Sequence, residues 1–231
     1  MRYPLATVIG DGQGATVATV EHLMSALAGL GVDNVIAEID GPETPIGDGS
    51  AADFAAAIDA AGVVELDAPR RYLEILQTVE IVAPGNASLL RRPVGFEMSV
   101  EIIFDAPSDR RQTLDVVVDP ASFRRRDRRR LHLRFPRGGR TAARRRGLGR
   151  GASLENTIVV DANGVMNPQT LRRPDDFVRH KALDALGDLA LVGRPILGRY
   201  EASCAGHALN NQLVRALLER PDAWRLTTKS A

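Results

Sequence analysis

Histidines next to carboxylates are the residues of this sequence that could carry out chemistry. His180, Asp184 and Asp188 follow one another at intervals of four residues. In a helix this spacing places one imidazole and two carboxylates along a single face. A histidine and an aspartate at positions i and i+4 can both ligate one zinc ion. A third nitrogen ligand would then leave the fourth position open for water, as catalytic zinc sites require.

His22 is available as the third ligand, and Glu21 precedes it. A glutamate beside a zinc ligand can take a proton from water at the open position, as the glutamate of HExxH metalloproteases does. His207 lies in the sequence AGHALNN, at the start of another predicted helix. These three histidines are therefore the candidates for a functional site.

Each of these patterns also has a purely structural explanation. A His–Asp pair at i and i+4 is commonly a solvent-exposed helix pair worth about 0.3 kcal/mol. A glutamate at a helix start interacts favourably with the helix dipole, whether or not it is catalytic. His207 could equally be a surface residue. The residues by themselves leave a zinc site and a solvated helix surface as alternatives.

Helices and strands must bring these residues together. Apolar residues at helical spacing predict a helix over residues 17–29, with glycines at its end. The other predicted helices cover residues 50–61, 174–191 and 207–218. Alternating or β-branched apolar residues predict strands at 34–40, 72–83, 95–104, 112–119 and 156–161, and one more before the last helix. Strands in a meander followed by helices predict an α+β fold.

Composition excludes several classes of protein. A chain of 231 residues with 44% hydrophobic residues is neither a disordered tail nor a fibrous repeat. No apolar run approaches the roughly 20 residues of a transmembrane helix, and the first residues lack the pattern of a signal peptide. We therefore expect no membrane span and a cytoplasmic location. The single cysteine, Cys204, cannot form an internal disulfide.

The charge is distributed unevenly along the chain. The net charge is +1, but residues 124–150 contain 13 arginines and one acidic residue, Asp127, so this stretch carries +12 and the remainder −11. Such a cluster could bind nucleic acid or another anionic surface. Phe135 is the only aromatic residue well inside it, so base stacking is unsupported and we expect no nucleic-acid binding.

Three segments of the sequence resemble the zinc-dependent UDP-3-O-acyl-N-acetylglucosamine deacetylases of lipid A biosynthesis. They are TVEHLMSALAGLGVDNVIAEIDGPETPIGDGSA (Thr19–Ala51), DDFVRHKALDALGDLALVGRPILG (Asp175–Gly198) and GHALNN (Gly206–Asn211). The likeness covers nearly all of the chain except residues 126–146. Three long motifs in the same order argue against chance similarity.

The resemblance implies zinc-dependent hydrolysis of the N-acetyl group of UDP-3-O-acyl-N-acetylglucosamine, the committed deacetylation step of lipid A biosynthesis. This acylated UDP-sugar is the implied substrate and Zn²⁺ the implied cofactor. His22, His180 and Asp184 match the zinc ligands of the family, and Glu21 matches its general base. The family thus assigns to these residues the chemistry that their spacing allows.

Three further residues match family positions around the metal. His207 matches a charged histidine that stabilises the oxyanion and protonates the leaving amine, and Asp188 matches the residue that orients this histidine. Lys181 matches a residue beside the substrate. A cationic histidine paired with an aspartate would keep its proton until the leaving nitrogen takes it.

Residues 126–146 depart from the family. Relatives carry a Thr-Phe-Gly-Phe motif there, whose threonine helps to hold the oxyanion and whose neighbours line the acyl passage. When Arg126–Phe135 is translated back into its possible codons and these are read one base later, some of them encode Cys-Thr-Phe-Gly-Phe. The family-like sequence resumes at Gly147. We infer a frame-shifted stretch between two compensating shifts. Its arginines cannot bury an apolar face, so we expect it to be exposed or irregular.

Two other departures concern the start of the chain and Cys204. The family has roughly sixty residues before the position of Met1, so we expect a first domain that is incomplete at its N-terminus and lacks part of the layer supporting the helix of Glu21. Cys204 stands where relatives usually have a basic residue near the diphosphate of the nucleotide.

The resemblance predicts two domains, each a layered sandwich of β-sheet and α-helix. The first covers residues 1–68, and the second covers residues 69–226 with the aberrant arginine-rich segment inside it. Zinc would lie between the domains because its ligands come from both, and we expect a monomer. The competing interpretations are an inactive remnant of the deacetylase and an arginine-rich nucleic-acid-binding protein.

Overall fold

The structure is a computed structural model that describes residues 6–92, 94–103, 111–126, 133–136, 157–161, 164–165, 167, 171 and 173–228. Its helices are α1 (Glu21–Leu30), α2 (Ala52–Ala61), α3 (Pro120–Arg126), α4 (Asp176–Ala190) and α5 (His207–Leu218). Its strands are β1 (Val8–Gly10), β2 (Thr16–Ala18), β3 (Tyr72–Ile75), β4 (Val79–Ala83), β5 (Gly85–Leu90), β6 (Phe96–Ile103), β7 (Arg111–Val117), β8 (Leu133–Pro136), β9 (Thr157–Asp161), β10 (Gly164–Val165), β11 (Ile196–Ser203) and β12 (Trp224–Thr227). These elements confirm the α+β fold class.

The largest sheet has seven strands, with β11 at its centre. Residues 199–203 of β11 pair antiparallel with β5 along one edge and parallel with β6 along the other. β4 extends the sheet beyond β5, and β7 extends it beyond β6. The start of β11 pairs with β3, which in turn pairs with β12. β1 and β2 form a separate hairpin, and β8, β9 and β10 form a three-stranded sheet.

Helices pack on this sheet to form the hydrophobic core. α4 packs over β6 and β7, α5 packs over β4 and β5, and α1 packs against α4. Side chains alternate between the faces of a strand, and the alternate residues Phe96, Met98, Val100 and Ile102 of β6 are buried. α4 therefore lies between the sheet and α1, which places its two sides against different elements.

Strand β7 holds the N-terminus of α4. Gln112 Nε2 donates to Pro174 O at 2.8 Å, and Val178 N donates to Gln112 Oε1 at 3.2 Å. The second bond satisfies one of the N–H groups that a helix leaves without a partner in its first turn. One side chain thus sets the position of the helix relative to the sheet.

Two glycines allow the helices to approach closely. A Cβ atom at Gly187 of α4 would lie 1.9 Å from Glu21 O, and a Cβ atom at Gly29 of α1 would lie 2.2 Å from the ring of Phe123 in α3. Because glycine has no Cβ, the start of α1 can lie directly against α4.

The first helix begins later than predicted, at Glu21. Thr16–Ala18 instead form β2, which pairs with β1, and Thr19 has a φ of 60°. This left-handed conformation is rare for a β-branched residue. It is held by neighbours: Thr19 Oγ1 donates to Glu43 Oε1 at 2.7 Å, and the Thr44 hydroxyl donates to Thr19 O. The chain therefore turns sharply just before the helix.

The prediction of a strand at residues 34–40 is wrong. Within the part of the chain that the structure describes, these residues form no regular secondary structure and pair with no strand. Val35 is 55% exposed and Ile36 is 91% exposed. The apolar alternation favoured a strand, but a strand also needs a neighbour for its backbone hydrogen bonds.

The remaining strand predictions are mostly confirmed. The strand predicted over residues 72–83 is two strands, β3 and β4, whereas β6, β7 and β9 lie where they were expected.

In the arginine-rich segment, Arg126 ends α3 and Leu133–Pro136 form β8, which pairs parallel with β9. The backbone of these residues is regular, so for them the expectation of an exposed or irregular segment can hold only through exposure and stays a prediction. The rest of the segment lies outside the described residues. Among the helices that the structure describes, none has the length and apolar character needed to cross a membrane.

Candidate metal centre

Helices α1 and α4 bring three possible metal ligands together. His22 lies in the first turn of α1, and His180 and Asp184 lie one turn apart on α4. The Nε2 atoms of His22 and His180 lie 3.3 and 3.5 Å from Asp184 Oδ1. The two imidazoles meet edge to face, with ring centroids 5.3 Å apart. All three residues are buried, and one ligand atom from each lies within 4.8 Å of the others.

The chemistry of this donor set fits zinc. Two imidazole nitrogens and one carboxylate oxygen form the kind of three-ligand set that leaves a fourth position open in catalytic zinc sites. Asp184 Oδ1 is buried and has no hydrogen-bond partner among the described residues. A buried carboxylate oxygen without such a bond is costly unless a cation compensates it. The three residues are therefore well suited to hold a metal ion.

The charge states of His180 and Asp184 also suit metal binding, which requires neutral imidazole and ionised carboxylate. Burial lowers the pKa of His180 to about 3, so this ring is neutral at pH 7. Burial by itself would raise the pKa of Asp184, but His180 and Lys181 outweigh it and hold this pKa well below its ordinary value. Lys181 Nζ donates to Asp184 Oδ2 at 2.7 Å, which leaves the other carboxylate oxygen facing the imidazoles.

Glu21 lies beside these ligands as the first residue of α1. Its side chain is buried, and burial raises the pKa of its carboxyl above the ordinary value. Thr7 N donates to Glu21 Oε2 at 3.0 Å. The other oxygen, Oε1, lies 3.8 Å from His207 Nε2. This carboxylate is adjacent to the metal ligands and is able to accept a proton.

His207 begins α5 and lies between two groups of carboxylates. Its Nδ1 is 3.0 Å from Asp188 Oδ2 and 3.2 Å from Oδ1. Its Nε2 is 3.8 Å from Glu21 Oε1 and 3.9 Å from Asp184 Oδ2. Burial by itself would lower the pKa of His207, but the hydrogen bond to Asp188 and the nearby carboxylates outweigh burial and raise it to about 9. The imidazole is therefore charged at pH 7, with Nε2–H on the side of the metal ligands.

The structure brings all of the sequence-predicted site residues into this one cluster. They are Glu21, His22, His180, Lys181, Asp184, Asp188 and His207. Their convergence excludes the solvated helix surface that the spacing alone left open, because His180, Asp184 and Asp188 are all buried. Their individual roles stay predictions.

Three polar residues of the cluster were not predicted. Asn210 Nδ2 donates to Asp188 Oδ2 at 2.8 Å, and Tyr200 OH donates to Asn210 Oδ1 at 2.6 Å. Thr7 Oγ1 donates to Asp188 Oδ1 at 2.5 Å. Asn210 could have been found, because it follows His207 by three residues on the same helix face. Nothing in the sequence around Thr7 indicates a contact across 181 positions.

A comparison with families of known proteins matches the part of the chain that contains this site. The family model of LpxC, described as UDP-3-O-acyl N-acetylglycosamine deacetylase, matches residues 1–219. The chain belongs to this family. The LpxC match includes every residue of the candidate metal centre, and it confirms the resemblance found in the three sequence motifs.

Individual relatives extend the LpxC match over nearly the whole chain. A protein of Phenylobacterium zucineum is 50% identical over 226 residues, which cover 97% of this chain and 76% of the relative. A protein of Myxococcus xanthus is 46% identical over 222 residues, which cover 96% of this chain and 70% of the relative. A protein of Acidithiobacillus ferrooxidans is 47% identical over 222 residues, which cover 95% of this chain and 72% of the relative. All three are named UDP-3-O-acyl-N-acetylglucosamine deacetylase.

Proposed function

We propose that this chain is a zinc-dependent amidohydrolase that removes the N-acetyl group of UDP-3-O-acyl-N-acetylglucosamine, the deacetylation step of lipid A biosynthesis. The observation that carries the proposal is the convergence of His22, His180 and Asp184 beside Glu21 and His207. Membership of the LpxC family supports the choice of substrate. When zinc is bound by the three ligands, it lowers the pKa of a water molecule towards about 7 and polarises the amide carbonyl.

Glu21 acts as the general base in this proposal. Its buried carboxyl has a raised pKa, which brings its proton affinity closer to the value that suits a base at neutral pH. Thr7 N holds Oε2, so Oε1 is the oxygen that accepts a proton from the attacking water. The water oxygen then bonds to the carbonyl carbon of the acetyl group.

His207 acts as the general acid. With a pKa of about 9 its imidazole is charged at pH 7, and Asp188 fixes Nδ1 so that the Nε2 proton is directed into the site. This proton stabilises negative charge on the carbonyl oxygen and is then transferred to the leaving nitrogen. The C–N bond breaks, and the products are acetate and the free amine of the acylated UDP-glucosamine.

Lys181 is the proposed contact to the substrate. Burial by itself would lower the pKa of Lys181, but Asp184 outweighs it and raises this pKa. The ammonium group therefore stays charged, and its side chain is 35% exposed. A charge that is partly open to solvent beside the metal ligands can bind an oxygen of the substrate.

We also propose that the chain is a monomer and that it is located in the cytoplasm. We further propose that a domain boundary lies near residue 68, so that the metal is held between two domains. α1, which carries His22, and α4, which carries His180 and Asp184, would then come from different domains. Nucleic-acid binding is not favoured, because the family match runs through the arginine-rich residues 124–150. The alternative that remains is a folded but inactive relative.

Metal analysis combined with an acetate-release assay tests the proposal. The purified chain should hold about one zinc, and His180→Ala should lose it. Glu21→Gln is the matched control, because it should keep the zinc and lose acetate release. Equal zinc in His180→Ala and in the unsubstituted chain would rule out this metal site. If the unsubstituted chain binds zinc but releases no more acetate than the Glu21→Gln variant, the chain is the inactive relative.

A further inference from the structure

Thr7 contacts both of the carboxylates that the proposed reaction uses outside the metal ligands. The residue is 2% exposed. Its backbone N–H donates to Glu21 Oε2 at 3.0 Å, and its hydroxyl donates to Asp188 Oδ1 at 2.5 Å. Its carbonyl oxygen accepts a bond from Val20 N at 3.4 Å. The residue is therefore fixed against the start of α1 while its side chain reaches α4.

The direction of the hydroxyl proton follows from the partners of Thr7. Asn211 Nδ2 lies 3.3 Å from Thr7 Oγ1 and can only donate. An ionised Asp188 can only accept. The Thr7 hydroxyl must therefore accept from Asn211 and donate to Asp188, and no other orientation satisfies both neighbours.

These bonds select one oxygen of each carboxylate. Glu21 Oε2 and Asp188 Oδ1 are occupied by Thr7. In each carboxylate the other oxygen lies nearer to His207. Glu21 Oε1 is 3.8 Å from Nε2, and Asp188 Oδ2 is 3.0 Å from Nδ1, compared with 3.2 Å for Oδ1. His207 thus lies between the two oxygens that Thr7 does not contact.

We propose that Thr7 is a positioning residue that aligns the Glu21 base and the Asp188–His207 pair with each other. The inference rests on the proposed deacetylase function. A buried carboxylate held by a single hydrogen bond can rotate or shift, whereas bonds to both oxygens fix its plane. Asp188 is fully buried, and Asn210 and His207 both contact its Oδ2. On Oδ1 the Thr7 hydroxyl makes the shorter of two contacts, the other being His207 Nδ1 at 3.2 Å. The Thr7 hydroxyl is therefore the bond that fixes the plane of this carboxylate from the Oδ1 side.

The test compares Thr7→Ser with Thr7→Ala, a pair that differs only in the hydroxyl oxygen. We expect Thr7→Ala to lower kcat for acetate release about 10- to 100-fold, because small misplacement of reacting groups has effects of this size. KM should stay the same, because Thr7 contacts carboxylates of the protein, and Thr7→Ser should restore most of kcat. Thr7→Val, which keeps the branched shape, should behave like Thr7→Ala.

Ser122→Ala is the control for general loss of stability. Ser122 is also a buried residue whose hydroxyl donates a hydrogen bond, but its acceptor is Val117 O at the end of β7, and it contacts none of the site carboxylates. Ser122→Ala should lower the melting temperature and leave kcat unchanged. Equal losses of kcat in Thr7→Ala and Ser122→Ala, or equal kcat in Thr7→Ala and Thr7→Ser, would overturn the proposal.

A spectroscopic measurement separates failure of this inference from failure of the proposed function. The proton on His207 Nδ1 gives a downfield NMR resonance when it is hydrogen-bonded to Asp188, and His207→Gln identifies this resonance by removing it. At one fixed pH, the resonance should shift or broaden in Thr7→Ala and stay unchanged in Thr7→Ser. If the chain releases no acetate, this result still decides the role of Thr7, and an unshifted resonance in Thr7→Ala would refute it.

Discussion

His180 and His207 are the same side chain, but the protein gives them opposite charge. Both are buried. Burial lowers the pKa of His180 to about 3, whereas at His207 the carboxylates, led by Asp188, outweigh burial and raise the pKa to about 9. A neutral imidazole can ligate a metal, and a charged one can donate a proton. The two proposed roles therefore follow from the balance between burial and carboxylate contacts, which burial dominates at His180 and the carboxylates dominate at His207.

The raised pKa of His207 predicts that the stability of the metal-free protein depends on pH. Because this pKa is higher in the folded chain, about 9, than its ordinary value of 6.5, the stabilisation is complete below pH 6.5 and is lost as the pH rises through 9. The difference corresponds to about 3 kcal/mol in the free energy of unfolding. Urea unfolding after removal of metal should show this decrease between about pH 6 and pH 9.5.

His207→Gln is the control for this pH dependence. The variant should be less stable than the parent at about pH 6 and should lose most of the decrease towards alkaline pH. The same pH slope in the variant and the parent would show that another group titrates, and that Asp188 does not hold a charged imidazole.

At the scale of elements, the close contact of α1 with α4 determines whether a metal centre can form. Gly187 makes this contact possible, since a Cβ atom there would lie 1.9 Å from Glu21 O and 2.7 Å from Glu21 C. Both atoms belong to backbone, so the clash cannot be relieved by rotation of a side chain. The distance between the helices therefore sets the distance between His22 and Asp184.

We expect Gly187→Ala to separate the two helices. The variant should lose about 1–3 kcal/mol of stability from overpacking and should bind zinc at least about tenfold more weakly. Chemical denaturation and competition with a zinc chelator measure the two effects. Gly41→Ala is the control, because a Cβ atom at Gly41 would meet no atom within 4 Å. Parental zinc affinity in Gly187→Ala would show that the metal centre tolerates movement of α1.

The elements also show how far the sequence could predict this site. α5 begins at His207 and ends at Leu218, the bounds predicted for the last helix. The functional face of α4 was predictable because the i, i+4 spacing of His180 and Asp184 is local. The start of α1 was misplaced because Thr19 adopts a left-handed conformation that depends on contacts with the loop around Glu43. The contact of Thr7 with Asp188 was missed because it is set by the packing of distant segments.

For the whole molecule, the arginine-rich residues 126–146 are expected to limit activity. They stand where the sequence resemblance places a Thr-Phe-Gly-Phe motif with an oxyanion-binding threonine. Loss of one oxyanion donor typically lowers turnover about 100- to 1,000-fold. Replacing residues 126–146 by the frame-corrected sequence should therefore raise kcat for acetate release by about this factor, as measured with the acylated UDP-sugar.

A second frame-corrected protein, with valine in place of the threonine of that motif, is the control. It should show a smaller gain in kcat than the first corrected protein, although the two differ only in this side chain. If the chain with its arginines intact already has the turnover of the corrected protein, the segment is a working variant rather than the product of a frame shift.

The exposed segment at residues 34–40 has a consequence for the behaviour of the protein in concentrated solution. Val35 and Ile36 are 55% and 91% exposed, and the backbone around them pairs with no strand in the described part of the chain. Apolar residues on a backbone with unpaired N–H and C=O groups are a template for pairing with a second molecule. A lysine in such a segment opposes this pairing. Light scattering should therefore show that the monomer self-associates only in concentrated solution, and Ile36→Lys should reduce this association. Leu218→Lys, a change at a similarly apolar but helical surface position that is 44% exposed, should not reduce it. Colloidal stability would then depend on seven residues that lie outside the hydrophobic core and outside the metal centre.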